Sequence, residues 1–407
     1  MSQSIKSDVV IVGGGPVGAS AALALAAIGL RPTVVEPVPA HALHQPSYDG
    51  RSLVLNHASV RILEQLGIWS RLQGMRQAVE HIHVSQLGHL GTARLHAQDE
   101  GVEALGYVVE AAALGQALRQ GLEDNEQIQL LCPAKLQDFC LADDQVCARV
   151  VSEGGEHRVQ APLMLGVDGQ HSLVRQQLGI AVERFDYGQA AIVSTVMPSL
   201  AHNNWAWERF TPTGPLAMLP RVGGKLGVVW CAQAEQVEQL TALDDEAWLQ
   251  ALQQRFGYRL GRLRQPGKRA SYPLVRQRAR HDVAERCILL GNAAHAVHPV
   301  AGQGFNLGLR DVAWLADVLA QQRGGDLGAA NVVQAYQQGR REDHDQTIRF
   351  TDSLVRLFSN DWPGLGHMRG AGLMGVDLLA GVKQRLARGA MGYRGKRPSM
   401  LREDDAA

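Results

Sequence analysis

Val9-Val10-Ile11-Val12-Gly13-Gly14-Gly15-Pro16-Val17-Gly18 is the stretch that decides how this chain folds. Four apolar residues in succession are what a strand buried on both faces of a parallel sheet requires. The glycines end that strand at once. Pro16, with no amide hydrogen to leave unpaired, suits the first turn of a helix that runs through the Ala- and Leu-rich segment Ala19 to Ile28. Gly29 stops the helix, and Thr33 to Glu36 reads as a second strand. The unit opens a doubly wound nucleotide-binding sheet. Within it Gly13, Gly15 and Gly18 have the spacing Gly-x-Gly-x-x-Gly, and Glu36 follows eighteen residues later. Such glycines let backbone amides approach a pyrophosphate at the positive end of a helix, and the carboxylate accepts ribose hydroxyls. With strand, helix and acid in register, the expectation is a dinucleotide with an unphosphorylated adenosine ribose, FAD or NAD.

Val9 to Leu30 carries no charge before Arg31 and could pass for an export signal. The Gly-Gly-Gly-Pro interruption after four apolar residues argues for strand and turn, so no bilayer-spanning segment is expected. Helices are expected over Val54 to Trp69 and Ala111 to Leu122, and strands over Ile128 to Leu131, Val146 to Val151 and Leu163 to Val167. Between Gln189 and Ala232 the segments Ala191 to Val196, Trp205 to Phe210, Leu216 to Leu219 and Leu226 to Trp230 alternate with turn residues, which predicts an inserted antiparallel sheet. Cys287 to Leu290 returns to a parallel-type strand; Gly304 to Leu319 and Asn331 to Phe358 read as long helices.

The expected fold class is therefore α/β: a Rossmann-like FAD-binding domain, an inserted, mainly antiparallel β-sheet substrate domain, and C-terminal helices. The expected division assigns 1–75, 100–180 and 275–325 to the discontinuous nucleotide domain, 76–99 and 181–274 to the substrate sheet, and 326–407 to the helical region. Leu373 to Met391 reads as an amphipathic helix, and the stretch from Lys383 to Arg402 holds seven basic residues and no acidic one.

Over 407 residues, 45% hydrophobic and 20% charged is a globular composition, which excludes disorder for the bulk of the chain. Forty basic residues balance forty acidic ones, so there is no overall field to hold a nucleic acid, and none is expected as a partner. Five cysteines with no Cys-x-x-Cys pair fit reduced thiols and a cytoplasmic location.

Two further motifs carry chemistry. Gly166-Val167-Asp168-Gly169, with Ser172 and Arg175, follows an apolar strand; alone it would be an Asp-Gly turn with a helix cap. Leu290-Gly291-Asn292-Ala293-Ala294-His295 continues through His298-Pro299 to Gly302-Gln303-Gly304-Phe305-Asn306-Leu307-Gly308 and Asp311. This loop also leads into a helix N-terminus, where amides and dipole stabilise an anion by ~0.3–1 kcal/mol at an exposed end. His295 and His298 stand three apart, but no third ligand is near them in sequence, and no metal is expected.

These three motifs, in this order, resemble those of the single-component FAD-dependent aromatic hydroxylases of the p-hydroxybenzoate hydroxylase fold. Tyr48-Asp49-Gly50-Arg51-Ser52, Gly106-Tyr107-Val108-Val109-Glu110, Asn292 to Asp311, and Thr347-Ile348-Arg349-Phe350-Thr351-Asp352 leading to Leu357-Phe358-Ser359-Asn360 resemble the ubiquinone-biosynthesis hydroxylases, most of all the UbiH type, the 2-polyprenyl-6-methoxyphenol hydroxylases. The resemblance implies that Gly13, Gly15, Gly18 and Glu36 hold the ADP half of FAD. Arg51 would reach its phosphates or ribityl chain, and Asp168 and Gly169 would lie beside the pyrophosphate. Asn292 would face the ribityl chain, where most of the superfamily has Asp. Gly302, Gln303, Gly304, Phe305 and Asn306 would lie under the flavin ring with His298 and Pro299 on the substrate side, positioning rather than exchanging protons. It further implies NAD(P)H as transient reductant, O2 as co-substrate, and a flavin hydroperoxide that oxygenates a polyprenyl phenol.

Trp205, Trp207, Phe210, Leu216, Met218 and Trp230 are candidates to line an apolar groove for the isoprenoid tail, against simple core packing as the plainer account. The basic C-terminal segment suits anionic lipid, at the inner membrane, or other ubiquinone-biosynthesis proteins. Three rival readings stand: a sister hydroxylase acting at another ring carbon, a hydroxylase of a small soluble phenol, and a flavin-binding scaffold without turnover.

Overall fold

The Val9–Val12 run is an inner strand of a six-stranded sheet in a computed structural model that describes residues 3–39, 51–358 and 365–402. Parallel partners flank it, Pro32–Val35 on one side and Leu163–Gly166 on the other. Cys287–Leu289 pairs with Leu163–Gly166, and Gln129–Leu131 with Pro32–Val35, so strands distant in sequence lie side by side. All four residues of Val9–Val12 are buried, as an unbroken apolar run predicts.

The helix Pro16–Ala27 starts at Gly15, has Pro at its first position, and buries every residue from Gly18 to Ala26. It packs against the helix Gln303–Ala320, where a Cβ on Gly308 would stand 2.7 Å from Val17 Cγ2. Glycine at 308 is what allows this close approach.

The inserted sheet has nine strands. From one edge they run His295–Ala296, Ala270–Ala279, Val182–Pro198, Leu226–Gln233, Gly214–Pro220, Trp205–Thr211, His81–Gln86 and Thr92–His96, with Leu263–Arg264 attached to Val182–Pro198. All these pairings are antiparallel except Trp205–Thr211 with His81–Gln86. One face carries Leu216, Met218, Val228 and Trp230, fully buried against Trp248, Leu252 and Phe256 of the helix Asp245–Phe256. Each such side chain contributes ~1.5–3 kcal/mol by leaving water. The other face is open to a cavity.

Two elements differ from the sequence reading. Val54 to Trp69 is not one helix: Ser52–Asn56 is a strand paired with Gly106–Glu110, and the helix His57–Gln65 begins only after Asn56, whose Oδ1 accepts from Ser59 N at 2.9 Å. The cap fixes where the helix can start. Leu373 to Met391 is divided between helices Leu365–Leu378 and Ala380–Ala390, with Leu379 outside helical geometry between Gly375 and Gly381. Both glycines weaken helix propagation there.

Candidate active site

A single cavity of about 1380 Å³ joins the glycine turn, the Asp168 loop, the 291–305 loop and the open face of the nine-stranded sheet. Gly13, Gly15, Glu36, Arg51, Asp168, Gly169, Asn292, Pro299, Gly302, Gly304 and Phe305 all line it. These residues lie as far apart as 13 and 305 in sequence.

At the nucleotide end Gly13 has φ +107°, and a Cβ there would stand 2.5 Å from Val167 O. A Cβ on Gly18 would collide with the carbonyl of Gly13. Gly18 thus shapes the turn without reaching the cavity wall. Glu36 accepts from the amides of Gly14 (2.6 Å) and Val38 (2.9 Å), which fixes the carboxylate at the strand end and leaves lone pairs for ribose hydroxyls.

Asp168 caps the helix Leu173–Gln177: Oδ2 accepts from Leu173 N at 2.6 Å and Val174 N at 3.2 Å. Its Oδ1 is buried without a hydrogen-bond partner. A buried acceptor without a partner, on a residue that lines the cavity beside a turn that admits no Cβ at Gly13 or Gly18, fits a bound dinucleotide. Arg175, itself buried, donates from Nη1 to Ala293 O and from Nη2 to Gln170 O, both at 2.9 Å, tying the second motif to the third.

Gly302 caps the helix Gln303–Ala320 in left-handed geometry (φ +61°), and a Cβ would stand 2.9 Å from Val54 Cβ. Glycine is required twice over, by backbone and by contact. Gly304 has ordinary space around it. Asn306 is fully buried and does not reach the cavity. Its Nδ2 donates to Val54 O (2.8 Å) and Gly302 O (2.6 Å), and its Oδ1 accepts from Asn56 N (3.1 Å). Gln303 is buried too and stands behind the wall. Asn292 is exposed on the wall.

His298 also faces away from the cavity, with its ring edge-on to Tyr187 at 5.0 Å. Val300 N donates to its Nδ1 at 3.2 Å, which places the ring proton on Nε2. Burial pushes His298 down to about 4, so the ring is neutral. Tyr187 donates to Asp352 at 3.1 Å, and its pKa is pushed up to about 12, by burial first and then by Asp352.

Behind the loop lies an ionic network that sequence spacing did not reveal. Asp311 accepts from His295 Nε2, His344 Nε2 and Arg340 Nε, each at 2.7 Å, while Arg340 and Arg310 both bind Asp343. Asp311 and His344 supply the neighbours that His295 lacked in sequence. The Arg340 guanidinium shares the Asp311 oxygen that faces His344, so this carboxylate already has its cation. Tyr48, Asp49, Gly50, Ser359 and Asn360 lie outside the described residues.

A dinucleotide cradle opening onto an apolar sheet chamber is the fold and site of the FAD-dependent aromatic hydroxylases. The chain belongs to the FAD binding domain family, whose model matches residues 6–351. Among curated proteins it is similar to ubiquinone hydroxylase UbiL of Rhodospirillum rubrum, 40% identical, covering 95% of this chain and 90% of that one. It is 35% identical to the 3-demethoxyubiquinol 3-hydroxylase of Escherichia coli over 95% of this chain and 98% of that protein. Among solved structures, p-nitrophenol 4-monooxygenase PnpA of Pseudomonas putida shares the fold with TM-score 0.78 and 17% identity, over 97% of this chain and all of that one.

Proposed function

We propose that this protein is an FAD-dependent monooxygenase that hydroxylates the ring of a polyprenyl methoxyphenol in ubiquinone biosynthesis. The observation that carries the reading is the one continuous cavity, cofactor cradle at one end and apolar chamber at the other. Relatives named as ubiquinone hydroxylases, matched over almost their whole length, support the pathway.

Bound FAD, reduced by NAD(P)H and exposed to O2, supplies an electrophilic oxygen; one oxygen atom enters the ring and the other leaves as water. The chain's own residues position and shield. Gly13, Gly15 and the N-terminus of Pro16–Ala27 would hold the pyrophosphate, Glu36 the ribose, and Asp168 Oδ1 a hydroxyl donor of the cofactor. The loop from Pro299 to Phe305 would lie against the flavin ring. Ala191, Ala206, Ala217, Leu219 and Val229 line the chamber and exclude water from the reacting carbon. In a 2-polyprenyl-6-methoxyphenol both ortho carbons are occupied, which leaves the para carbon as the one a phenol activates.

We place the substrate's entry at an anionic membrane surface. The helix Leu365–Leu378 inverts the usual pattern: its charged residues Arg369 and Asp377 are buried or half-buried, while Met368, Met374 and Leu378 are exposed. Leu378 is 79% and Met368 71% exposed, and Leu90, 90% exposed, lies at the turn whose backbone abuts Gly370. Met368 and Gly372 are both exposed and on the cavity wall, so the apolar patch and the chamber meet. Exposed Arg385, Arg388, Lys396 and Arg397 follow, which suits anionic headgroups. No helix among the described residues is long and apolar enough to cross a membrane.

The test is heavy-oxygen incorporation into 2-methoxy-6-prenylphenol by purified holoenzyme with NADH or NADPH. Phenol-stimulated oxidation of the reductant, with label at the para carbon, is expected. Stoichiometric flavin with no label in the ring would favour the scaffold reading instead.

A further inference from the structure

We propose that Glu208 receives the phenolic hydroxyl of the substrate and takes its proton as the ring is oxygenated. The inference rests on the ring-hydroxylase reading above.

Along the strand Trp205–Thr211 alternate residues Ala206, Glu208 and Phe210 face the chamber. Glu208 stands opposite Ala217 on one neighbouring strand and Val84 on the other, both apolar and both on the chamber wall. A carboxyl group among apolar side chains demands a partner or loses its charge. Glu208 has no hydrogen bond or ion pair with any described residue, and nothing in the protein's own packing accounts for it. Burial pushes its pKa up to about 7, so it can hold or release a proton near neutrality. Among the described residues, the other ionisable groups on this part of the wall are Cys231, whose thiol burial and Glu208 push up, Arg369, stacked on Phe358, and Arg51 with Tyr272, the guanidinium lying over the ring.

Placement gives the orientation. Four strands separate His295–Ala296, at the start of the flavin-side loop, from Trp205–Thr211. The loop crosses that span: its Val300 shares one apolar cluster with Phe210 and Val84, the neighbours of Glu208 along and across the sheet, so a phenol ring held between loop and sheet with its para carbon toward the flavin turns its hydroxyl to the wall that carries Glu208. The O–H bond breaks, the proton passes to the Glu208 carboxylate, and the oxygen's electron pair moves through the ring as the para carbon bonds the incoming oxygen, whose bond to the second oxygen atom breaks; that second atom takes the electron pair, is protonated and leaves as water. Loss of the para C–H proton to solvent then restores the ring, and Glu208 returns its proton to the original oxygen.

The test uses holoenzyme, 2-methoxy-6-prenylphenol and its methyl ether, with Glu208→Gln and Glu208→Leu. Wild-type oxygenation of the phenol should rise about tenfold per pH unit up to about pH 7 and then level, and Glu208→Gln should be about a hundredfold slower or worse, with no such rise. On oxidised holoenzyme, Glu208→Leu should weaken phenol binding about tenfold and leave ether binding unchanged. Glu208→Gln should unfold at a higher temperature than wild type above neutral pH, because it removes a disfavoured charge, and at the same temperature in acid. A wild-type pH profile in Glu208→Gln, or equal losses for phenol and ether, would overturn the inference. Glu208-dependent preference for phenol over ether without ring oxygenation would sink the hydroxylase reading and leave the binding site standing.

Discussion

The backbone amide of Asn56 donates to Asn306 Oδ1 at 3.1 Å across 250 residues of sequence, and this bond pins the flavin-side loop to the edge of the Ser52–Asn56 strand. The same side chain binds Val54 O and Gly302 O, so one amide sets the loop's position through three contacts. Replacing it strands buried backbone groups rather than removing a cofactor contact.

Asn306→Leu should therefore cost about 2–4 kcal/mol of stability, from the unpaired amide and carbonyl groups it leaves. Flavin release should accompany the loss, because the loop is freed. Urea unfolding with flavin fluorescence measures both, and a variant as stable as wild type would contradict the positioning role.

Gly302→Ala should lower stability by at least ~1 kcal/mol through its left-handed backbone alone, with the contact to Val54 added. Gly304→Ala, where a Cβ meets nothing closer than Val297 Cγ2 at 3.8 Å, should leave stability unchanged. Thermal unfolding of the two variants, side by side, checks the contrast.

Burial alone would raise the pKa of Asp311, but His344, Arg340 and His295 hold it well below the usual carboxylate range, and Arg340 and Arg310 outweigh burial likewise for Asp343. Their folded-state values are depressed, so the stability they contribute is present above the unfolded carboxylate value of about 4 and is lost as pH falls below it. Acid titration of the unfolding midpoint should show this fall in wild type. Asp311→Asn, which strands Arg340 in the interior, should cost about 3–5 kcal/mol at neutral pH and flatten the acid dependence.

Full-length protein should float with vesicles of phosphatidylcholine and phosphatidylglycerol in equal parts and be released by salt. Leu378→Glu combined with Val382→Glu should cut that binding at least about tenfold and leave flavin content unchanged. Wild type that stays unbound would refute the membrane face, and loss of a dimer in the same variant would assign the patch to a second copy.

The nucleotide cradle was legible in the sequence because its determinants are local: Val9 to Gly18 encode strand, turn and helix without help from elsewhere. The sheet chamber was less so. Alternation in Leu216, Met218 and Trp230 announces two faces but not which one is hollow, and these bulky residues pack against Trp248 and Phe256 while the smaller Ala217, Val229 and Cys231 face the cavity. A chamber needs small side chains on its own side. Trp207 and Phe210 do reach the wall, as expected from their sequence. Glu208 was overlooked, although an acid in phase with the chamber-facing residues of an apolar strand was a visible signal. The Asp311 network was not visible at all, because Arg340 and His344 approach it from a different helix.

The order of strands in the six-stranded sheet has a bearing on biosynthesis. Leu163–Gly166 is laid down beside Val9–Val12, and Cys287–Leu289 beyond it, long after Val9–Val12 has left the ribosome, and the helix Gln303–Ala320 completes the wall later still. The emerging polypeptide must shelter a half-built, apolar nucleotide fold through most of its translation, so loading of the yellow coenzyme belongs to the last stage of maturation.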